Sequence, residues 1–466
     1  MKSLFSATGK RWQSLSLFSR NLVINLFLGL SVVFVLWLFS DSPWLMEMED
    51  ASMDWLMQIN ENIIPSIQEN NIPPVVILDV DDKTYYNWGE PLFTPRDRLK
   101  NMIAAAVNAK ARLVIVDLEV SQKTPVEGSQ LHPSDQVLKD YLENYIIECK
   151  GKIDNCPTII LRRTFSTKSS PVPILRTSFL DDIVTTQAAP YVQWATAQFY
   201  PAGDQVVRRW RLWQPACTPY TQPALVPSIE LLAMAEINEG CTATGLQKAL
   251  QSFQLKNCHD KYGHPTLPET FEFCGLTVNT KDGWGLSRRI MFRLPWLVEG
   301  KPPTLPYVAL DKNAVPTLTI FSAQPYTESP PQASSEELTG SIVIIAGSYH
   351  EMDDIYSTPL GDMPSAIIVI NAIHSLLRHE EVELLPIVGL LIIVLFVAIL
   401  STLFEIFPFY LIMIVLSTLT IFVLLPLTMI FFHYGMWLSF ALPLFVVSIY
   451  QVIAKYNQSH VPHSPI

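Results

Sequence analysis

The residues best suited to chemistry in this chain are carboxylates that follow short apolar runs. Asp79, Asp81 and Asp82 follow VVIL, Asp117 and Glu119 follow LVIV, and Asp353 and Asp354 follow SIVIIAG at a short distance. In an open parallel α/β sheet, ligands gather beyond the carboxyl ends of the strands, so three such groups could converge on one rim. Converging carboxylates suit a hard cation or an amine. Taken singly, the same acids cap the next helix or close an Asx-turn. Asn371, inside the apolar run IIVINAI, is informative for a different reason: a buried amide must find hydrogen-bond partners. It is expected to tie its helix to the backbone of the preceding loop, DDIYSTPLGDMP (353–364).

Other chemistries leave no trace. The chain has no GxSxG elbow, no GxxxxGK[ST] loop and no HExxH pair, so a nucleophile–base pair, a phosphate cradle and a zinc protease site are not indicated. No catalytic residue, metal site or cofactor is expected. His350 reads as a surface-loop residue and His374 as facing a polar edge. Arg208 and Arg209, after GDQVV, read as a solvated face.

The elements that must position these groups can be read from periodicity. VVILDV (75–80) and RLVIVDLEV (112–120) are short, apolar and β-rich. Between them, TPRDRLKNMIAAAVNAKA has Thr94 as N-cap, Pro95 in the first turn and a stripe of Leu99, Ile103, Ala106 and Val107. Strand, helix, strand predicts parallel pairing. PSDQVLKDYLENYIIE (133–148) is a further helix and PTIILRRTF (157–165) a further strand; SIVIIAG (341–347), the loop and SAIIVINAIHSLLRH form a closing strand–loop–helix unit. The fold class is an α/β domain, a mostly parallel sheet with flanking helices. An insertion over about 200–335 is stapled by cysteines in its first part and proline-rich in its second.

The chain is 49% hydrophobic and 16% charged over 466 residues, too apolar for an ordinary soluble protein. The excess is concentrated in 22–40, 385–404, 407–432 and 434–454, each about long enough to cross a bilayer as a helix. Lys2, Lys10, Arg11 and Arg20 have no acidic companions in the first 21 residues, so the positive-inside rule predicts a cytoplasmic N-terminus. Residues 41–384 then lie outside the cytosol, and the tail 455–466 returns to it, too short for a catalytic output domain. After the first span, Trp44, Leu45, Met48, Trp55, Leu56 and Ile59 predict one apolar side of a helix.

All six cysteines (Cys149, Cys156, Cys217, Cys241, Cys258 and Cys274) fall in the middle segment, the pattern of disulfides in an oxidising compartment. Their spacing invites sequential pairs, although six cysteines allow many connectivities. Net charge is −11; with +4 on the first 21 residues and a cancelling Glu405 and Lys455, the middle carries about −15. That balance argues against nucleic acid, whose phosphates need Lys and Arg.

In order, DWLM with Asp54, then VVILDVDDKTYYNWGEPLFTPRDRL, ARLVIVDLEVS, PSDQVLKDYL, GDQVVRR and IVIIAGSYHEMDDIYSTPLGDMPSAIIVINAIHSLL resemble the type-2 CHASE domain, an extracytoplasmic sensory module of bacterial membrane receptors. The last segment carries the resemblance furthest, and the one-plus-three span arrangement is similar too. The resemblance adds Trp88, Arg96, Thr358 and Pro359 to Asp81, Asp82, Asp117, Asp354 and Asn371 as candidate ligand or latch residues. The chain departs from the pattern at Ser365, where a Gly is expected after Pro364, at Val369-Ile370, where His-Ala would precede Asn371, and at Gln205, where the turn's Gly is expected. The resemblance implies an inner-membrane sensor or accessory protein without a cytoplasmic output domain. Its periplasmic domain would signal through the membrane helices to another envelope or membrane protein, with a homodimer as a further expectation. The alternative is a structural or assembly component that docks envelope proteins through the same domain.

Overall fold

The computed structural model describes residues 43–63, most of 72–378 and scattered positions elsewhere. The chain divides into two compact units, 61–379 and a second made of 1–60 with 380–466. Among the described residues no helix is long and apolar enough to cross a membrane. The spans predicted at 22–40, 385–404 and 407–432 lie outside them apart from isolated positions, and 434–454 lies outside entirely.

The larger unit is built on a seven-stranded sheet. In chain order its strands are β1 (Val75–Val80), β2 (Leu113–Val116), β3 (Thr158–Arg162), β4 (Val192–Ala195), β12 (Tyr307–Leu310), β13 (Pro316–Ser322) and β14 (Ile342–Gly347), and in space they run β12-β13-β1-β14-β2-β3-β4. All neighbours pair in parallel except β12 with β13. The predicted first two strands are thus parallel but not adjacent. β14, the last to be made, is inserted between them, with Val76 opposite Val343 and Val343 opposite Val114. Within the proline-rich part of the insertion, β12 and β13 return to this sheet and extend it beyond β1.

Alternate residues of a strand point to opposite faces, and a parallel sheet buried on both faces reads as a continuous apolar run. VVILDV, LVIV and IVIIAG are buried at every position. On one face Val76, Leu78, Val114, Val116, Ile159, Leu161, Val343 and Ile345 meet Leu99 and Met102 of α3 (Arg96–Asn108) and Leu138 and Leu142 of α4 (Pro133–Gly151). α3 begins one residue later than expected: Pro95 occupies the N-cap and makes no side-chain cap bond.

The other face is covered by α5 (Ile229–Ile237) and α7 (Ser365–Leu377), which also pack on one another. Both helices are apolar nearly all round, as a helix held between a sheet and a second helix must be. Ile367, Ile368, Val369, Ile370, Ile373 and Leu376 are at most 1% exposed, each adding on the order of 1.5–3 kcal/mol by burial. Ser228 caps α5, its Oγ accepting from Leu231 N at 3.1 Å. This core helix falls inside the stretch expected to be a stapled insertion.

Besides the hairpin before α7, three smaller sheets are formed: β5 (Phe199–Pro201) with β6 (Val207–Arg211) and β11 (Ser287–Arg289), β7 (Trp213–Cys217) with β8 (Pro223–Pro227), and β9 (Thr270–Phe273) with β10 (Leu276–Asn279). All six cysteines are paired. Cys149–Cys156 is the local bridge the spacing suggests, but the other four alternate, Cys217 with Cys258 and Cys241 with Cys274. Cys241 stands just before α6 (Ala243–Leu250), which packs on β9, and Cys274 follows β9, so these two meet and Cys217 at the end of β7 pairs with Cys258. In the smaller unit, α1 (Pro43–Ile63) buries Met53, Leu56 and Met57, while Met48 and Trp55 are exposed. Of the predicted stripe, Leu56 is on the buried side and Met48 and Trp55 are not.

Candidate functional site

The loop DDIYSTPLGDMP is a β-hairpin. β15 (Ile355–Thr358) pairs with β16 (Gly361–Pro364) across a tight turn at Pro359-Leu360, where Gly361 takes a φ of +95°. Thr358 Oγ1 donates to Gly361 O at 2.6 Å, and Pro359 is buried. Asp354 precedes the hairpin and Ser365 follows it; Ser365 N donates to Asp354 O at 3.0 Å and closes its base. Ser365 is also the first residue of α7. Asp353 lies outside the described residues.

Ser365 stands in a knot of charge. Its Oγ is 2.7 Å from Asp117 Oδ2 and 2.7 Å from Asp354 Oδ2. Arg162 Nη1 donates to Asp117 Oδ1 at 3.2 Å and to Asp354 Oδ2 at 3.0 Å. Asp117 follows β2 and Arg162 ends β3, so parallel pairing of these strands is what brings acid and base side by side. Arg163, the next residue, points away. It forms a two-point pair with Asp181 and lies 4.6 Å over the Trp194 ring.

A third carboxyl, Glu230 in the first turn of α5, lies within electrostatic reach of Asp117 and Arg162. It is fully buried, and among the described residues neither oxygen has a partner at full hydrogen-bond geometry, Ser228 and its own backbone N–H being its nearest weak donors. Burial pushes Glu230 up to about 8 against a weaker opposite pull from its own backbone N–H and Ser228. Burial also raises Asp117, to about 6, with Arg162 pulling it back and Asp354 adding to the rise.

The expected convergence of acids therefore holds for Asp117 and Asp354 and not for the remainder. Asp79, Asp81 and Asp82 stand two strands away at the end of β1. Burial lifts Asp79 to about 7, partly offset by Ser348 Oγ, which donates to Oδ2 at 2.6 Å. Asp81 caps α2 (Asp82–Asn87), accepting from Thr84 N at 2.8 Å, and Asp82 accepts from His350 N at 2.8 Å. Glu119 closes its own turn on Ser121 N and Gln122 N. These acids are local latches. Gly347, at the end of β14, is there for space: a Cβ would come within 2.7 Å of Met352 Sδ.

Trp88 ends α2 and packs against the core, its Nε1 buried without a partner among the described residues. Arg96 is fully buried; its Nη2 donates to Gln122 O at 3.2 Å and its Nε lies 3.8 Å from Asp135. Both hold the β1–α3 and β2–α4 connections and stand apart from the knot.

Asn371 makes the bonds a buried amide needs, to a different segment from the one expected. Oδ1 accepts from Arg293 N at 2.8 Å and Leu294 N at 2.9 Å, and Nδ2 donates to Leu294 O at 3.0 Å and Ile367 O at 2.9 Å. His374 does not face a polar edge: burial, helped by Arg378 and Arg293, drives it down to about 3, and its Nε2 is buried without a bond among the described residues. Arg208 is not solvated either. It is 5% exposed and doubly paired with Asp204, at 2.9 and 2.6 Å. Arg162, Glu230 and the bridging role of Ser365 were not foreseen. The available signal was a charge at the end of the apolar strand TIILR and an acid two residues after a helix-capping serine.

Fold and site define a parallel-sheet α/β module whose strand ends are wired to the first turn of its last helix. The chain belongs to the CHASE2 domain family, a family of sensory domains: the family's model, the CHASE2 domain, matches residues 28–403. Neither the curated proteins nor the solved structures contain a match. Among the described residues no group of three or more His, Cys, Asp and Glu side chains is placed to hold a metal ion.

Proposed function

We propose that this chain is a bacterial inner-membrane sensor or accessory protein whose domain lies in the periplasm and passes its state through the membrane helices to a partner protein. The observation that carries this reading is the connection from Asp117 and Asp354 through Ser365 into α7. α7 leads in sequence to the apolar segment 385–404. A change at the strand ends thus has a short covalent route to a predicted span. A stimulus shifts such a device only through unequal affinity for its two states, and the knot supplies a place where two states differ in charge. Family membership supports the sensory part of the reading.

The test is purification of the full-length chain from native membranes, with a tag at its C-terminus. The expected result is a stoichiometric partner bearing a kinase or cyclase domain, whose activity changes when Asp354→Ala is introduced. Recovery of a multi-protein envelope scaffold alone, with no regulatory enzyme in it, would sink the sensor reading in favour of an assembly role.

A further inference from the structure

We propose that the knot of Asp117, Arg162, Asp354 and Ser365, together with Glu230, is a proton-operated switch that pins the first turn of α7 to the sheet when protonated and releases it as its carboxyls ionise. The proposal rests on the sensor reading for its biological meaning and names the stimulus: the proton concentration around the domain.

The geometry points to a bound proton. Ser365 has one hydroxyl hydrogen, yet its oxygen is 2.7 Å from a carboxylate oxygen on either side. It can donate to one of them. The other approach is a hydrogen bond if that carboxyl carries a proton and donates to Ser365 Oγ; if both are ionised, it is a lone-pair collision. Charge count leads to the same place. Asp117, Asp354 and Glu230 are three buried acids, and Arg162 is the cation that faces them. An ionised carboxylate buried without well-formed hydrogen bonds is strongly disfavoured and neutralises instead, and the weak donors beside Glu230, Ser228 and its own N–H, do not offset its burial.

The groups that face the cluster are accounted for element by element. Asp117 comes from the end of β2, Arg162 from β3, Tyr349 from the loop after β14, Asp354 from the base of the hairpin, Tyr356 from β15, Ser365 from α7 and Ser228 from the cap of α5. With Asp117 raised to about 6 and Glu230 to about 8, protons leave across the mildly acidic to mildly alkaline range. Each departure adds a negative charge that Arg162 already shares. The hydrogen bond that breaks first is the one that needs a proton, between Ser365 and its second carboxyl, and it sits on the first residue of α7.

Hydrogen exchange of the full-length chain in mild detergent, at about pH 6 and about pH 8.5 with intrinsic rates corrected, tests this. Peptides covering Ala366–Ile370 are expected to exchange about tenfold faster at the higher pH, relative to peptides of α3 as an internal reference. Glu230→Gln, which keeps the neutral shape, is expected to shrink that ratio to about twofold or less. Asp117→Asn is read in its place should Glu230→Gln not fold. A wild-type ratio equal to that of α3, or one unchanged by the substitution, overturns the switch. A flat ratio leaves the sensor reading untouched, because partner capture does not depend on it; a full ratio with no regulatory partner in the membrane sinks the sensor reading and leaves the switch standing.

Discussion

Ser365 shows how much a single hydroxyl can hold: it touches two carboxylates through its side chain and closes a hairpin through its backbone. Ser365→Ala keeps the backbone bond and takes from Asp117 Oδ2 its Ser365 partner, while Asp354 Oδ2 keeps Arg162, so the domain is expected to lose about 1–3 kcal/mol in urea unfolding; a loss under about 0.5 kcal/mol would mean the hydroxyl is incidental. The pH dependence has a definite sign. Asp117, Asp79 and Glu230 all have folded-state values above their unfolded ones, at about 6, 7 and 8. The folded state therefore binds more protons, and the stability they contribute is present below the ordinary carboxylate range and is lost as pH rises through the folded values. The thermal midpoint is expected to fall between about pH 6 and pH 8.5, opposite to a domain stabilised by ionised surface acids; a midpoint that climbs over that interval refutes it. Sequence made Asp117 and Asp354 visible, because acids after apolar runs mark strand ends. It hid Glu230 and Arg162, because a lone charge in an apolar stretch is as readily placed outside as inside until the neighbouring strand is known.

At the level of elements, continuous apolar runs identified β1, β2, β3 and β14, since burial on both faces leaves few polar gaps, and α3 was legible from its apolar stripe and capping residues. What periodicity could not supply is strand order, which depends on pairing between residues far apart in the chain, such as Ile77 with Ile344. The turn at Asp204 to Arg208 is a case where the resemblance anticipated a conformation. Gln205 has a φ of +66° where a Gly was expected, a region that costs a side chain about 1 kcal/mol or more. Gln205→Gly is expected to stabilise by roughly 0.5 kcal/mol once the greater freedom of glycine in the unfolded chain is subtracted, and a measured loss above about 0.5 kcal/mol would show that the Gln205 side chain has an interaction worth more than its backbone strain. Asn371 gives the larger effect. Asn371→Leu leaves Arg293 N and Leu294 N without their acceptor, an expected destabilisation of about 3 kcal/mol or more, with loss of protection in the 291–297 segment.

For the whole molecule, the three disulfides bear on the compartment in which the larger unit folds. Cys217–Cys258 and Cys241–Cys274 span separations of 41 and 33 residues and interleave, so each bridge restricts the same stretch of unfolded chain from a different end. In the chain-entropy picture the first adds roughly 4 kcal/mol and the local Cys149–Cys156 bridge, with a separation of 7, roughly 2 kcal/mol. Contributions of that size are comparable to the whole stability of an ordinary domain, and they form where thiols are oxidised. If residues 41–384 are exported, alkylation of intact cells followed by denaturation and reduction should find all six thiols protected, and unreduced peptides should link Cys217 to Cys258 and Cys241 to Cys274. Cys217→Ser should then leave Cys258 reactive and lower stability by about the amount the closed loop supplies. Thiols found free in living cells would place the domain in a reducing compartment, where the net charge of the middle segment and the knot at Ser365 would have to be read against cytosolic partners instead. That outcome would remove the periplasmic sensor and keep the α/β fold, because the seven-stranded core holds none of the interleaved cysteines within its strands.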